Sequence, residues 1–152
     1  KPETISAFLD HFLPERAESA DEYEVPQYSS EPHLIFTAAS ELIDYCCEHR
    51  DEPHAIWWRS DADSEHAMVY FLADGSYILG VSTPADESDR VDFISNEFIR
   101  YFDTEEIIVT YEDCPPELEL SFREIFASLP RIPEDISAKS ARGARAHRPI
   151  RG

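Results

Sequence analysis

Acidic side chains in two short segments are the residues of this chain best suited to chemistry. They lie in residues 61–65 and 86–89, and they are Asp61, Asp63, Glu65, Asp86, Glu87 and Asp89. Loop carboxylates can bind Ca²⁺ or Mg²⁺, and two carboxyl groups in different environments can serve as acid and base. The stretch DADSEHAMVYFL, however, lacks the glycine and the final glutamate of a calcium-binding EF-hand loop. We therefore predict no metal, and two interpretations stay open: solvated turns, or a docking surface for a basic partner.

Histidine and cysteine are the next candidates, because together they suit zinc binding or nucleophilic catalysis. Cys46, Cys47 and His49 are close in sequence, but neither C-x-x-C nor H-E-x-x-H spacing occurs. A pair such as Cys47 or Cys114 with a distant histidine is not specified by any motif. Only four glycines are present, and none forms a phosphate-binding loop. These absences predict a protein without a cofactor or a catalytic group, and three cysteines favour the reducing cytoplasm.

Two adjacent tryptophans, Trp57 and Trp58, precede Arg59 in a stretch with strand character. Neighbouring residues of a strand point to opposite faces of the sheet, so one indole is expected in the core. The other indole and Arg59 are candidates for partner binding, because tryptophan and arginine are favoured anchors at interfaces. The alternative is that helices cover both faces and bury both rings.

The charge of the chain is strongly uneven. It has 13 basic and 32 acidic residues, a net charge of −19. Residues 131–152 contain six basic and two acidic residues, a net +4, so residues 1–130 carry seven and 30, a net −23. Such a body repels nucleic acid and anionic membranes and attracts cationic partners. The alternative is that the acidity only maintains solubility.

The apolar pattern predicts four helices and several strands. Ile5, Phe8, Leu9 and Phe12 recur at helical spacing behind Thr4 as N-cap, and Thr37 similarly precedes Ala39, Leu42, Ile43 and Cys46. Helices are also predicted within 91–103 and 117–130, and strands at 34–36 and 105–113. Residues 14–32 lack periodicity and are predicted to form a surface loop.

From His54 the apolar pattern changes to a period of two, which predicts strands at 55–59, 67–73 and 77–82. Asp74-Gly75 favours a two-residue hairpin turn, which would pair Leu72 with Tyr77. In such a meander both acidic segments lie at one end of the sheet. The predicted fold is an α+β domain, residues 1–130, with a mostly antiparallel sheet of four to five strands, a central three-stranded meander and three to four amphipathic helices. Residues 131–152 are predicted to be a flexible basic tail.

No apolar run approaches the roughly 20 residues of a membrane-spanning helix, and no signal-peptide pattern is visible. The chain opens at Lys1-Pro2, so we expect that either a leader or a larger parent protein was trimmed away.

Residues 33–129, with AIWWRS and AMVYFLADGSYILGVS, resemble small acidic α+β immunity proteins that neutralise bacterial polymorphic toxins. The shared features are architecture, acidity and a D-G-x-x-x-L-G pattern at Asp74, Gly75, Leu79 and Gly80. The resemblance implies stoichiometric inhibition of a basic toxin, of nuclease or deaminase type, and it assigns no functional residue. Together with the charge it predicts a non-enzymatic inhibitor of a basic protein. The alternative is a small enzyme or ligand-binding domain with a pocket between sheet and helices.

Overall fold

The secondary structure contains the predicted helices, the short strand before the second helix and the three-stranded meander. The computed structural model describes residues 1–62, 64–84, 88–110 and 115–129. Its elements are α1 (Pro2–Phe12), β1 (Arg16–Glu18), β2 (Tyr23–Val25), β3 (Leu34–Phe36), α2 (Ala39–Glu48), β4 (His54–Ser60), β5 (His66–Phe71), β6 (Tyr77–Ser82), α3 (Ser88–Phe102) and α4 (Glu119–Ser128). The α+β prediction is confirmed.

The described strands form two antiparallel sheets. The larger sheet has the order β1-β4-β5-β6, and the smaller pairs β2 with β3. The consecutive pairs β4–β5 and β5–β6 are the predicted meander. His66 pairs with both Arg59 and Ser82, so the end of β4, the start of β5 and the end of β6 lie side by side at one edge of the sheet.

The predicted register of the β5–β6 hairpin is wrong by one residue. Phe71, not Leu72, pairs with Tyr77. The Gly75 amide donates to the Leu72 carbonyl, and the Leu72 amide donates to the Ser76 carbonyl. Only Gly75 in this turn has a positive φ, 82°, so the connection is a three-residue loop with a glycine bulge rather than the two-residue turn.

Residues 14–32 are not simply a surface loop, because they contain β1 and β2. Tyr23 and Val25 are buried on either side of Glu24. Three-residue strands are too short to show the alternation that reveals longer ones. Conversely, residues 105–110 form no strand, and 111–113 of the same predicted strand lie outside the described residues.

The helix starts also differ from the predicted threonine caps. α1 begins at Pro2, and α2 begins at Ala39 without a cap from Thr37. Instead, the Glu18 carboxylate accepts hydrogen bonds from the Ala39 amide at 3.0 Å and from the Tyr23 hydroxyl at 2.8 Å. A carboxylate at this position also faces the positive end of the helix dipole.

The core lies between the larger sheet and the helices. The predicted faces of α1 and α2 are buried, with Ile5, Phe8 and Leu42 fully inaccessible to solvent. On the sheet side this core contains Ile56, Trp58, Ala67, Val69 and Phe71, and α3 adds Phe98 and Phe102. The helix α4, by contrast, has no buried residue.

Candidate functional site

The acidic end predicted from the sequence is described in part. Asp61 and Asp89 are exposed, Asp61 after β4 and Asp89 in the first turn of α3. Asp63, Asp86 and Glu87 lie outside the described residues. The two exposed carboxylates therefore remain candidates for attracting a cationic partner.

Glu65 is not a surface carboxylate, contrary to the expected solvated or docking role. It is buried, and its two oxygens accept hydrogen bonds from the Nε and Nη2 groups of Arg90, the latter at 2.8 Å. The Arg90 guanidinium also lies 5.1 Å from the centre of the Phe93 ring. This ion pair joins the β4–β5 loop to the start of α3, so Glu65 has a structural role.

The two tryptophans face opposite sides of the sheet, as predicted. Trp58 is buried in the core with 4% exposure, which removes it from the candidate binding residues. Trp57 is half-buried on the opposite side and makes an edge-to-face contact with Tyr70 at 5.7 Å. Arg59 is exposed on the same side as Trp57.

We call this side of the larger sheet, opposite the core, the outer face. The residues of this face are identified by the alternation of side chains along the paired strands β4, β5 and β6. Its residues are Ala55, Trp57, Arg59, His66, Met68, Tyr70, Ile78, Gly80 and Ser82. None of them is fully buried, although aromatic and apolar groups are well represented. Such a surface suits contact with another protein.

A cleft opens at one side of the outer face, beside Trp57. Its volume is about 180 Å³, and it lies between residues 19–28 and 54–57. The lining residues are Ser19, Ala20, Glu22, Tyr23, Glu24, Gln27, Tyr28, His54, Ala55 and Trp57. The cleft thus combines three aromatic side chains with two carboxylates.

Side-chain hydrogen bonds fix one wall of this cleft to β4. The Gln27 amide accepts from the Ala55 N–H at 2.9 Å and donates to the Ala55 carbonyl at 3.0 Å, as a neighbouring strand would. The buried His54 ring lies 2.9 Å, at Nε2, from the Glu24 carbonyl and 3.1 Å, at Nδ1, from the Ala55 carbonyl. The loop that presents Tyr28 is therefore attached at several points.

A second depression lies on the core side, between α1, α2 and the sheet. It has a volume of about 470 Å³ and is lined by Leu9, Ile43 and Trp58 together with charged side chains such as Glu3 and Asp44. The described residues that line it include Ser6 and Ser40 but no histidine or cysteine. A nucleophile paired with a histidine base is thus not found among them.

The cysteines and possible metal ligands give no catalytic arrangement within the described part of the chain. No group of three His, Cys, Asp or Glu side chains there is placed to hold a metal ion. Burial raises the pKa of the Cys46 thiol to about 12, which keeps it protonated and unreactive near neutral pH. Cys114 lies outside the described residues.

The cleft was not predicted from the sequence. Its residues come from the supposed loop at 14–32 and from β4, about 30 positions apart, and only Trp57 was a candidate beforehand. The one available signal was the presence of Tyr23 and Tyr28 in an otherwise acidic, polar segment.

Comparisons with known proteins leave function to be inferred from this geometry. No protein-family model, curated protein or solved structure matches the chain. Among the helices of the described ranges, none combines the length and the apolar character required to cross a bilayer.

Proposed function

We propose that this protein is a non-enzymatic binding protein that docks a basic partner protein on its outer face. The observation that carries the proposal is a half-exposed tryptophan, Trp57, beside an aromatic cleft with acidic walls on a chain of net charge −19. Tryptophan is among the side chains that contribute most to binding energy at interfaces. Charge of one sign, in turn, accelerates encounter with a partner of the other sign.

The acidic groups and the aromatic groups have different roles in this proposal. Exposed carboxylates such as Asp61, Asp89 and Glu22 act over a distance and raise the association rate. Trp57 acts only after contact, because its ring must be desolvated against the partner. The lifetime of the complex therefore depends mainly on Trp57 and the cleft.

A narrower form of the proposal is that the protein is a stoichiometric inhibitor of immunity type. Its partner would then be a cationic toxin such as a nuclease or deaminase, which the acidic surface would mask. We place this interaction in the cytoplasm, where the free thiols of Cys46 and Cys47 would stay reduced. The resemblance in architecture and acidity supports this form of the proposal.

The depression between α1 and α2 favours a second candidate function, binding of a small molecule. Its volume of about 470 Å³ is within the range of roughly 300–1,000 Å³ found for ligand pockets. Ser40→Trp, at an exposed lining residue, would narrow this depression while leaving the outer face unchanged. Loss of a ligand-induced rise in melting temperature in this variant would support the second function.

Affinity capture with matched variants tests the proposed function. The wild-type protein, Trp57→Ser and Tyr101→Ser would each be immobilised and exposed to lysate of the source cells at low salt. Tyr101 is a suitable control because it is exposed to 38% on α3, outside the outer face. We expect one basic protein to be retained by wild type and Tyr101→Ser, and to be lost with Trp57→Ser. Equal retention by all three, or retention of no basic protein, would contradict the proposal.

A further inference from the structure

The cleft beside Trp57 has the size of a site for one side chain. Its volume of about 180 Å³ is below the roughly 300 Å³ at which pockets for small-molecule ligands begin. The bonds from Gln27 and His54 to backbone groups hold its two walls together. A partner residue can therefore enter a cleft that already exists.

Aromatic rings define the chemistry of its walls. Among the lining residues, Trp57 is half-buried and Tyr28 is exposed to 80%, whereas Tyr23 is buried and belongs to the core. Indole and phenol rings attract a cation placed over their faces, with tryptophan the most effective. A planar guanidinium can also stack on such rings, which an ammonium group cannot.

Two carboxylates, those of Glu22 and Glu24, add negative charge to the same walls. Burial raises the pKa of the Tyr23 phenol, as does its hydrogen bond to Glu18, so that ring stays neutral. No lysine or arginine is among the described lining residues, so neither of these side chains pairs with Glu22 or Glu24 inside the cleft.

We infer that this cleft binds the guanidinium group of an arginine side chain supplied by the partner. The inference rests on the proposed function, because it names the group of the basic partner that enters the site. Aromatic faces, two carboxylates and a one-residue volume are each explained by this occupant. The partner is accordingly expected to lose affinity when a single exposed arginine at its interface is replaced by glutamine.

Titration with small probes tests the cleft without the partner. The probes are N-acetyl-arginine amide and N-acetyl-citrulline amide, which have nearly the same shape but differ in charge. The chain has two tryptophans, and each gives its own indole N–H signal in an NMR spectrum. The Trp57 signal reports on the cleft, and the signal of the buried Trp58 reports on the core. We expect the arginine probe to shift the Trp57 signal saturably, with a dissociation constant on the order of 1–10 mM. The Trp58 signal should stay in place, and citrulline should have little effect on either.

Two variants and one control check where the probe binds. The double variant Glu22→Gln and Glu24→Gln should weaken arginine binding by roughly threefold or more. Trp57→Leu should weaken it to a similar extent. Because this variant has no Trp57 signal, its binding is followed by the signal of the Gln27 side-chain amide. Asp92→Asn, an exposed change on α3, should leave arginine binding unchanged. Equal shifts with arginine and citrulline, or an unshifted Trp57 signal, would overturn the inference.

The probe titration and the affinity capture can fail separately. If a basic protein is captured through Trp57 but the arginine probe leaves the cleft unchanged, the docking proposal stands and the arginine inference is wrong. If arginine binds but no basic protein is captured, the proposed function is wrong.

Discussion

Single carboxylates in this protein have different roles that their residue type does not reveal. Glu18 links the start of α2 to Tyr23, Glu65 is buried against Arg90, and Asp74 joins a hairpin to α4. In contrast, Asp61 and Asp89 are exposed. The excess of acidic residues therefore includes structural groups as well as those available for docking.

Neutralising Glu65 tests its structural role. Glu65→Gln keeps the size of the side chain but removes the charge that strengthens its hydrogen bonds with Arg90. We expect the free energy of unfolding to fall by about 1–3 kcal/mol, measured by chemical denaturation. The matched change Asp61→Asn, at an exposed site in the same loop, should alter it by less than about 0.5 kcal/mol. Equal effects of the two changes on the free energy of unfolding would show that the buried Glu65–Arg90 pair contributes nothing to stability.

The pH dependence of Asp74 tests the contact between the hairpin and α4. Its carboxylate accepts hydrogen bonds from Ser76 and from the Glu119 amide, which hold the pKa of Asp74 below its ordinary value of 3.8. A lowered pKa means that the stabilisation is present above pH 3.8 and is lost as the pH falls through the lowered value. NMR signals of the Ser76 and Glu119 amides should therefore titrate with a midpoint below 3.8.

The variant Asp74→Asn is the control for this titration, because it removes the titrating group. The acid-dependent shift of both amides should then disappear. A midpoint at or above 3.8 in the wild type, or an unchanged titration of the Glu119 amide in Asp74→Asn, would contradict the contact.

At the scale of elements, the β5–β6 hairpin depends on the conformation of one glycine. Gly75 has a φ of 82°, and a Cβ there would lie 3.0 Å from the Cβ of Arg50. Gly80, on the same hairpin, has no positive φ, and its Cβ would approach only the flexible side chain of Met68. Gly75→Ala should therefore destabilise the protein by about 1–2 kcal/mol, and clearly more than Gly80→Ala. Denaturation midpoints that rank the two variants in the opposite order would contradict the observed turn.

Elements with several regularly spaced apolar residues were predictable from the sequence. The buried faces of α1 and α2 are examples, because the helical spacing of their apolar residues persists over at least two turns. The strands of the meander are others, because apolar residues alternate in them over about six residues. The strands β1 and β2 were not predictable, since three residues give no period and neither strand is a continuous apolar run like Leu34–Phe36 of β3. The hairpin register was missed because Asp-Gly suits both two-residue and three-residue loops.

The candidate site was less predictable than the fold because its residues are distant in sequence. Placing the two tryptophans on opposite faces required only the alternation of a strand, and this was confirmed. Which indole is exposed depends on where the helices pack, a tertiary property. The Glu65–Arg90 pair and the attachment of Gln27 to Ala55 likewise span 25 and 28 residues.

At the scale of the whole molecule, net charge and charge position make separate contributions to binding. The net charge of −19 attracts any cationic protein over several ångströms, but only the placement of charges favours one orientation. Docking on the outer face therefore depends on where the carboxylates lie and not only on how many there are. This dependence on position can be tested with two variants that neutralise different carboxylates but have the same net charge.

Two fourfold variants of equal net charge provide this test. In the first, two carboxylates of the cleft and two of the acidic end are replaced by their amides: Glu22, Glu24, Asp61 and Asp89. In the second, exposed carboxylates on α1, α2 and α3 are replaced in the same way: Glu3, Glu41, Glu48 and Asp92. Both variants carry four fewer negative charges than the wild type.

The most direct measurement is the association rate of the captured basic partner with these two variants as a function of salt. The account predicts that the first variant associates roughly tenfold or more slowly than the second at low salt, while dissociation changes less. The difference between the two association rates should shrink when added salt shortens the Debye length to about 8 Å or less. Equal association rates for the two variants at every salt concentration would contradict docking on the outer face.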